Sequence, residues 1–138
     1  MRKLLITGLL LVGAIAFAGK YEDGLKERMK VAEERLESKF EGTTADMLNA
    51  SSELTDEWEK EMNKVYDLIL KKLPAKEQSK FKAEQAKWLN DRKVAIKKAL
   101  NDKEDGPKMA VFGAAGTGLS MTEERALKLA KRYDSLSK

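Results

Sequence analysis

The chain of 138 residues has no cysteine and no histidine. Without cysteine there are no disulfide staples, so stability must come from packing alone. It also excludes a lipid anchor built on a cysteine thiol. Without histidine the chain lacks the commonest metal ligand and the usual acid–base group of neutral pH. Prolines number two and aromatics make up 7%. No run of alternating Val, Ile and Thr argues for a strand. No basic stripe with interleaved aromatics argues for a nucleic-acid partner. The glycines between Gly113 and Gly118 are not followed by Gly-Lys-Ser or Gly-Lys-Thr, so they form no phosphate loop. Nothing in the sequence requires a cofactor or a metal. The acidic side chains fall on faces expected to be solvated, so no paired carboxylates suggest an enzyme.

What is present is helix-forming material. Charged residues make up 36% of the chain, with both signs interspersed, and Leu, Met, Ala, Lys and Glu dominate every long segment. The first eighteen residues stand apart. Arg2 and Lys3 precede the apolar run Leu4 to Phe17, and Ala16-Phe17-Ala18 is a small-x-small site. This pattern predicts a secretory signal peptide over residues 1–18, cleaved after Ala18, and hence a periplasmic or secreted protein with no spanning segment left. Arg2 and Lys3 carry two of the four net positive charges, which leaves +2 on residues 19–138.

The remaining chain reads as an all-α bundle of three to four helices. Residues 19–42 predict an N-terminal amphipathic helix with the stripe Leu25, Met29, Ala32, Leu36 and Phe40, closed by Gly42. Residues 43–138 predict the main helical domain. Thr43 or Thr44 caps a helix whose face carries Met47, Ser51, Leu54, Trp58, Met62, Val65, Ile69 and Leu73, with Tyr66 beside them. Pro74 breaks the pattern and predicts an antiparallel helical hairpin. The next stripe is Phe81, Gln85, Trp88, Arg92, Ile96 and Ala99. Gly106-Pro107 marks a turn, and a last helix follows from about Lys108, irregular at Gly116–Gly118. Ser120-x-x-Glu123 offers a capping box for a later start.

Polar groups on an apolar stripe are the unusual feature, because they need partners or an open surface. The candidate binding residues are Asn63, Tyr66, Gln85, Trp88, Arg92, Thr122 and Arg125. They form either a polar network joining three helices or a shallow recognition site that exposes Trp88 and Arg92. In the network reading Arg92 bonds helix-end carbonyls or Gln85, and its guanidinium reaches the Trp88 ring four residues away. A second candidate is an acidic patch of Glu53, Asp56, Glu57, Glu59 and Glu61, which also suits the start of a helix.

Three elements carry a family resemblance. Met62-Asn63-x-x-Tyr66 follows Met47 by fifteen residues, Gln85-x-x-Trp88-x-x-x-Arg92 comes next, and Thr122-x-x-Arg125 with Leu129 closes the set. Together these resemble the family named after the LprI lysozyme inhibitor, over about residues 43 to 133. The resemblance implies an exported helical domain that binds a lysozyme-like muramidase. Its alternative is a structural or interaction protein of the cell envelope with no lysozyme contact. Ala50, Ile96 and Thr117 stand where many members of that family carry cysteine, and Lys93 stands where an acidic residue is usual.

Overall fold

The computed structural model describes residues 19–137, which form four helices: α1 (Lys20–Phe40), α2 (Thr44–Lys72), α3 (Ala75–Asn101) and α4 (Pro107–Leu136). The fold is a small all-α bundle. The expected leader lies outside the described residues. No helix among the described residues is long and apolar enough to cross a membrane.

Each break between helices has a local cause. At the start of α2 the Thr43 hydroxyl accepts from Asp46 N at 3.1 Å, and the Asp46 carboxylate accepts from Thr43 N at 3.0 Å. This closed capping box satisfies two otherwise orphaned donors. Gly42 makes room for it, since a Cβ there would come within 2.6 Å of Asp46 Oδ2. Between α2 and α3, Leu73 is extended, as a residue before proline tends to be. The Gln78 side chain then donates to the carbonyls of Leu70 and Leu73 at 2.9 and 3.1 Å, sealing the end of α2 from the first turn of α3. Between α3 and α4, Gly106 has φ of +96°, a conformation that favours glycine, and Pro107 opens the helix where its missing N–H costs nothing.

The last helix differs from the expectation. It runs without interruption through Gly113, Gly116 and Gly118, and Ser120 and Glu123 lie inside it rather than at its start. Glycine in a helix costs about 1 kcal/mol each. A Cβ at Gly118 would meet Ile96 Cδ1 at 3.2 Å, so a larger residue there would push the tip of Ile96 aside by a few tenths of an ångström, whereas Gly113 and Gly116 face no neighbour within 4 Å.

The helices alternate in direction. Lys72 lies over the Tyr133 ring at 5.1 Å at one end of the bundle, and Ser51 and Ala114 share a pocket at the other, so α2 and α4 run parallel. They are the most extensively packed pair. Helix α3 runs antiparallel to α2, with Tyr66 stacked on Phe81 at 4.8 Å and Glu59 bonded to Arg92. The hairpin about Pro74 is therefore present, with α4 lying along both of its arms.

The apolar core is built mainly by three helices. Leu25, Met29 and Leu36 of α1 meet Leu54, Trp58, Met62, Val65 and Ile69 of α2 and Ala126, Leu129 and Ala130 of α4. Helix α1 is thus part of the same core, although Phe40 at the end of its stripe is exposed. From α3 only Phe81 joins this cluster. The indole N–H of Trp58 is the one polar side-chain atom buried without a partner among the described residues.

Asp134 fixes the start of α1. Gly19 offers no side-chain cap, and the buried Asp134 carboxylate accepts from Tyr21 N at 2.8 Å and Glu22 N at 3.0 Å. A carboxylate near the end of its own helix is disfavoured by the helix dipole, but the N-terminus of α1 reverses that field. Hydrogen bonds to a charged group contribute more than neutral ones. We therefore expect Asp134→Ala to lower unfolding free energy by about 2 kcal/mol in urea titration. Asp134→Asn, which keeps one acceptor, should lose less. Faster amide exchange in the first turn of α1 would locate the effect.

A like-charge contact lies farther along the same pair. Burial raises the pKa of Glu123 on α4, and the nearby Glu33 of α1 raises it further. A raised carboxylate pKa favours the protonated form in the folded state. The site is therefore least unfavourable at acid pH, and it opposes folding increasingly as pH rises above the ordinary value of 4.5. Glu123→Gln should raise the melting temperature at pH 7 and leave it nearly unchanged at pH 4.

Candidate functional site

The polar stripe of α3 faces α4 and the middle of α2. The buried side chain of Gln85 accepts from Arg125 Nε at 2.9 Å, and its amide points at Met62 Sδ at 3.7 Å. Arg125 is itself buried, and its second contact is Glu84 at 2.8 Å. Glu84 also receives Arg132 at 3.2 Å. One turn along, Arg92 donates to Glu59 Oε1 at 2.7 Å and to the Thr122 hydroxyl at 3.0 Å. Thr122 is fully buried and passes its own proton to the Gly118 carbonyl at 2.6 Å. Three helices are joined by this set, and every one of these polar groups has a partner.

Trp88 lies between the two guanidinium groups. Arg92 sits 4.9 Å from its ring centre and Arg125 5.9 Å. The ring is half-buried, and its outer edge lines a depression of about 100 Å³ with Met121, Glu124, Arg125 and Lys128. A guanidinium within about 6 Å of an indole centre is attracted by the ring's electrons, so both cations favour this position for Trp88.

The structure gathers Gln85, Trp88, Arg92, Thr122 and Arg125 into one network. The anchors differ from the expectation for Arg92: its partners are a carboxylate and a hydroxyl, and Gln85 is taken by Arg125 instead. The reason is geometric, because a long guanidinium reaches across to α2, whereas Gln85 lies two turns back along α3, opposite Arg125. Tyr66 joins through its ring, stacked on Phe81, and not through the network. Asn63 is exposed on α2 and lies apart from the set.

The acidic residues of α2 do not present a run of free carboxylates. Glu53 is bridged by Lys39 at 3.0 Å and Arg35 at 3.6 Å, both from α1. Glu57 pairs with Lys60 at 3.3 Å, and Glu59 serves Arg92. Glu61 is buried and held by Arg28 at 2.9 Å and Lys64 at 3.6 Å. Asp56 is exposed and has no ion pair among the described residues. Acidic residues close together on a helix radiate to different neighbours, so a patch in sequence becomes four separately paired carboxylates in space.

Glu84 and Arg132 were not marked by the sequence pattern. A signal for them exists: Arg125 and Arg132 are seven residues apart, which places both on one face of α4. No group of three or more Asp, Glu, His or Cys residues among the described residues is arranged to hold a metal ion.

The electrostatics of Glu84 follow from this geometry. Burial pushes its carboxyl pKa up, but the bonds and charges of Arg125 and Arg132 outweigh burial and hold it below the ordinary 4.5. Its contribution to stability is therefore complete above pH 4.5 and is lost as pH falls through the depressed value. Removing Arg125 would strand Gln85 and leave Glu84 with Arg132 alone. We expect Arg125→Ala to cost about 2–3 kcal/mol near neutral pH, since it breaks a pair with one partner buried. In chemical denaturation the gap between the two proteins should narrow as pH falls below 4. A gap independent of pH would remove Glu84 from the account.

Comparison with known proteins gives one match. The family model described as Lysozyme inhibitor LprI covers residues 36–129. It begins in the last turns of α1, seven residues before the start of the motif-based resemblance, and takes in the whole network except Arg132. No curated protein matches the chain, and no solved structure does. The family model covers most of the four-helix bundle and the motif residues occupy its central network, so the chain belongs to the LprI lysozyme inhibitor family.

Proposed function

We propose that the chain is exported and acts by binding a lysozyme-like muramidase and blocking its cleft, without turnover of its own. The observation that carries this reading is the family match over residues 36–129. Muramidases cleave glycan between two carboxylates, so an inhibitor has only to occupy or cover that cleft. Lysozymes of this kind are generally basic, and an inhibitor gains on-rate by offering carboxylates to them. The contiguous acidic run of α2 offers few free ones. The edge of the network suits the task better. There Trp88 is half-exposed beside Glu124, an exposed carboxylate with no ion pair among the described residues. Trp is among the residues that most often dominate interface energetics.

A second reading is favoured by the way Gln85, Thr122 and Arg125 are consumed internally. These side chains are buried and spent on partners inside the bundle, Gln85 on Arg125 and Thr122 on Arg92 and the Gly118 carbonyl, so the motif serves the fold whatever the chain binds. On this reading the protein is an interaction module of the cell envelope with no muramidase contact.

Cell-wall lysis by a basic muramidase, in the presence of the chain from Gly19 onward, separates the two. Dose-dependent inhibition is the expected result. Trp88→Ala should weaken it at least tenfold while the helical signal in circular dichroism is retained. A folded sample that inhibits no muramidase but binds isolated envelope would favour the second reading.

A further inference from the structure

We propose that the chain associates with a second copy of itself through the groove between α2 and α3. At the end of the bundle away from Pro74 these two helices are held apart by α4, leaving an open cavity of about 290 Å³. One wall is Leu48, Ser52 and Thr55 of α2, whose spacings of four and three keep them on one face. The other wall is Ile96 of α3, and the floor is Ala114 and Gly118 of α4. A floor of small residues lets an incoming helix sink between the walls.

Helix α3 supplies a ridge suited to such a groove. Leu89 and Leu100 stand seven residues before and four after Ile96, and the three form a second line beside the buried stripe. Leu89 is 42% and Leu100 44% exposed, although both are large and apolar. Lys93 lies in the same line, exposed and without an ion pair among the described residues. Across the groove Asp56 stands on the rim in the same condition. Most acidic side chains of α2 are already matched, and among those lining this groove Asp56 is left without an ion pair.

The occupant follows from the arrangement of charge. A two-fold interface uses one patch on both subunits, so the patch must be complementary to itself. An apolar line with a free cation on one wall and a free anion on the other meets that condition. A two-fold axis across the groove sets the α3 helices antiparallel, Leu89 of each copy near Leu100 of the other. It also turns each Lys93 toward the other copy's Asp56. The line covers about 16 Å of helix. So short a contact belongs to weak interfaces, and the dissociation constant should fall in the range of about 1–100 µM.

Sedimentation equilibrium of the chain from Gly19 onward, which contains the whole core, tests this. The expected result is a monomer–dimer equilibrium in that range. Leu100→Asp and the single reversals Lys93→Glu and Asp56→Lys should each weaken it at least tenfold, with helicity unchanged. Combining Lys93→Glu with Asp56→Lys should restore association to within about threefold of the starting protein. These positions are exposed, so the reversals should leave folding intact. A monomer at all concentrations up to 500 µM, on the order of five times the weakest constant expected, would overturn the proposal. So would a dimer that ignores the reversals, or one that the combined reversal fails to restore.

Discussion

The attachment of α3 is the constraint on which the bundle depends. Helices α1, α2 and α4 close a conventional apolar core among themselves, and α3 contributes only Phe81 to it. The rest of its inner face is Gln85, Trp88 and Arg92, followed by Ile96 against Gly118. What holds α3 in place is therefore a set of directional contacts: Arg92 to Glu59 and Thr122, Gln85 and Glu84 to Arg125, and Trp88 between the two guanidiniums. Apolar packing tolerates a slide of a turn or a few degrees of rotation, whereas bonds of this kind do not. The polar stripe costs desolvation, and in return it fixes the register of α3 against two helices at once.

This division explains how a chain without cysteine keeps a four-helix fold. The positions that resemble cysteine sites are occupied by side chains that pack differently from a staple. Ala50 is fully buried, and Ile96 lies against the Gly118 backbone, where the absence of a Cβ admits it. A disulfide acts largely by restricting the unfolded chain. Contacts such as these act only in the folded state. The helices most deeply committed to the core are α2 and α4.

Much of this was legible in the sequence because helical phase is a strong signal. The stripes of α1 and α2, the capping Thr43, the break at Pro74 and the polar positions Gln85 and Arg92 all follow from steps of three and four residues. What was not legible has one of two physical causes. Some partners are remote: Asp134 caps the first turn of α1 across more than a hundred residues, and no local pattern marks it. In α4 the regular helix overrode local propensity. The glycines predicted an irregular stretch, but the helix runs on through Gly113, Gly116 and Gly118, and of the three Gly118 alone lies close to a neighbour, Ile96. The partners of the acidic run of α2 are remote in the same sense. Residues adjacent in sequence face different neighbours on a helix, and Glu53, Glu59 and Glu61 are each claimed by a different basic side chain.

The same reasoning limits where a partner can bind. Residues that register α3 are occupied, and an interface that drew on Arg92 or Arg125 would have to break the bonds that hold its own scaffold. Recognition is thus left to the surfaces that the network positions but does not consume. These are the outer edge of Trp88 with Glu124 of α4, and the second line of α3 beside the open groove. Both draw on α3, the helix with the smallest share of the core. A helix attached by polar contacts can leave apolar surface uncovered, because its stability does not require that surface to be buried. The family motif and the available binding surfaces therefore share a helix for one reason. The residues that the motif fixes inward are what free the rest of α3 to face outward.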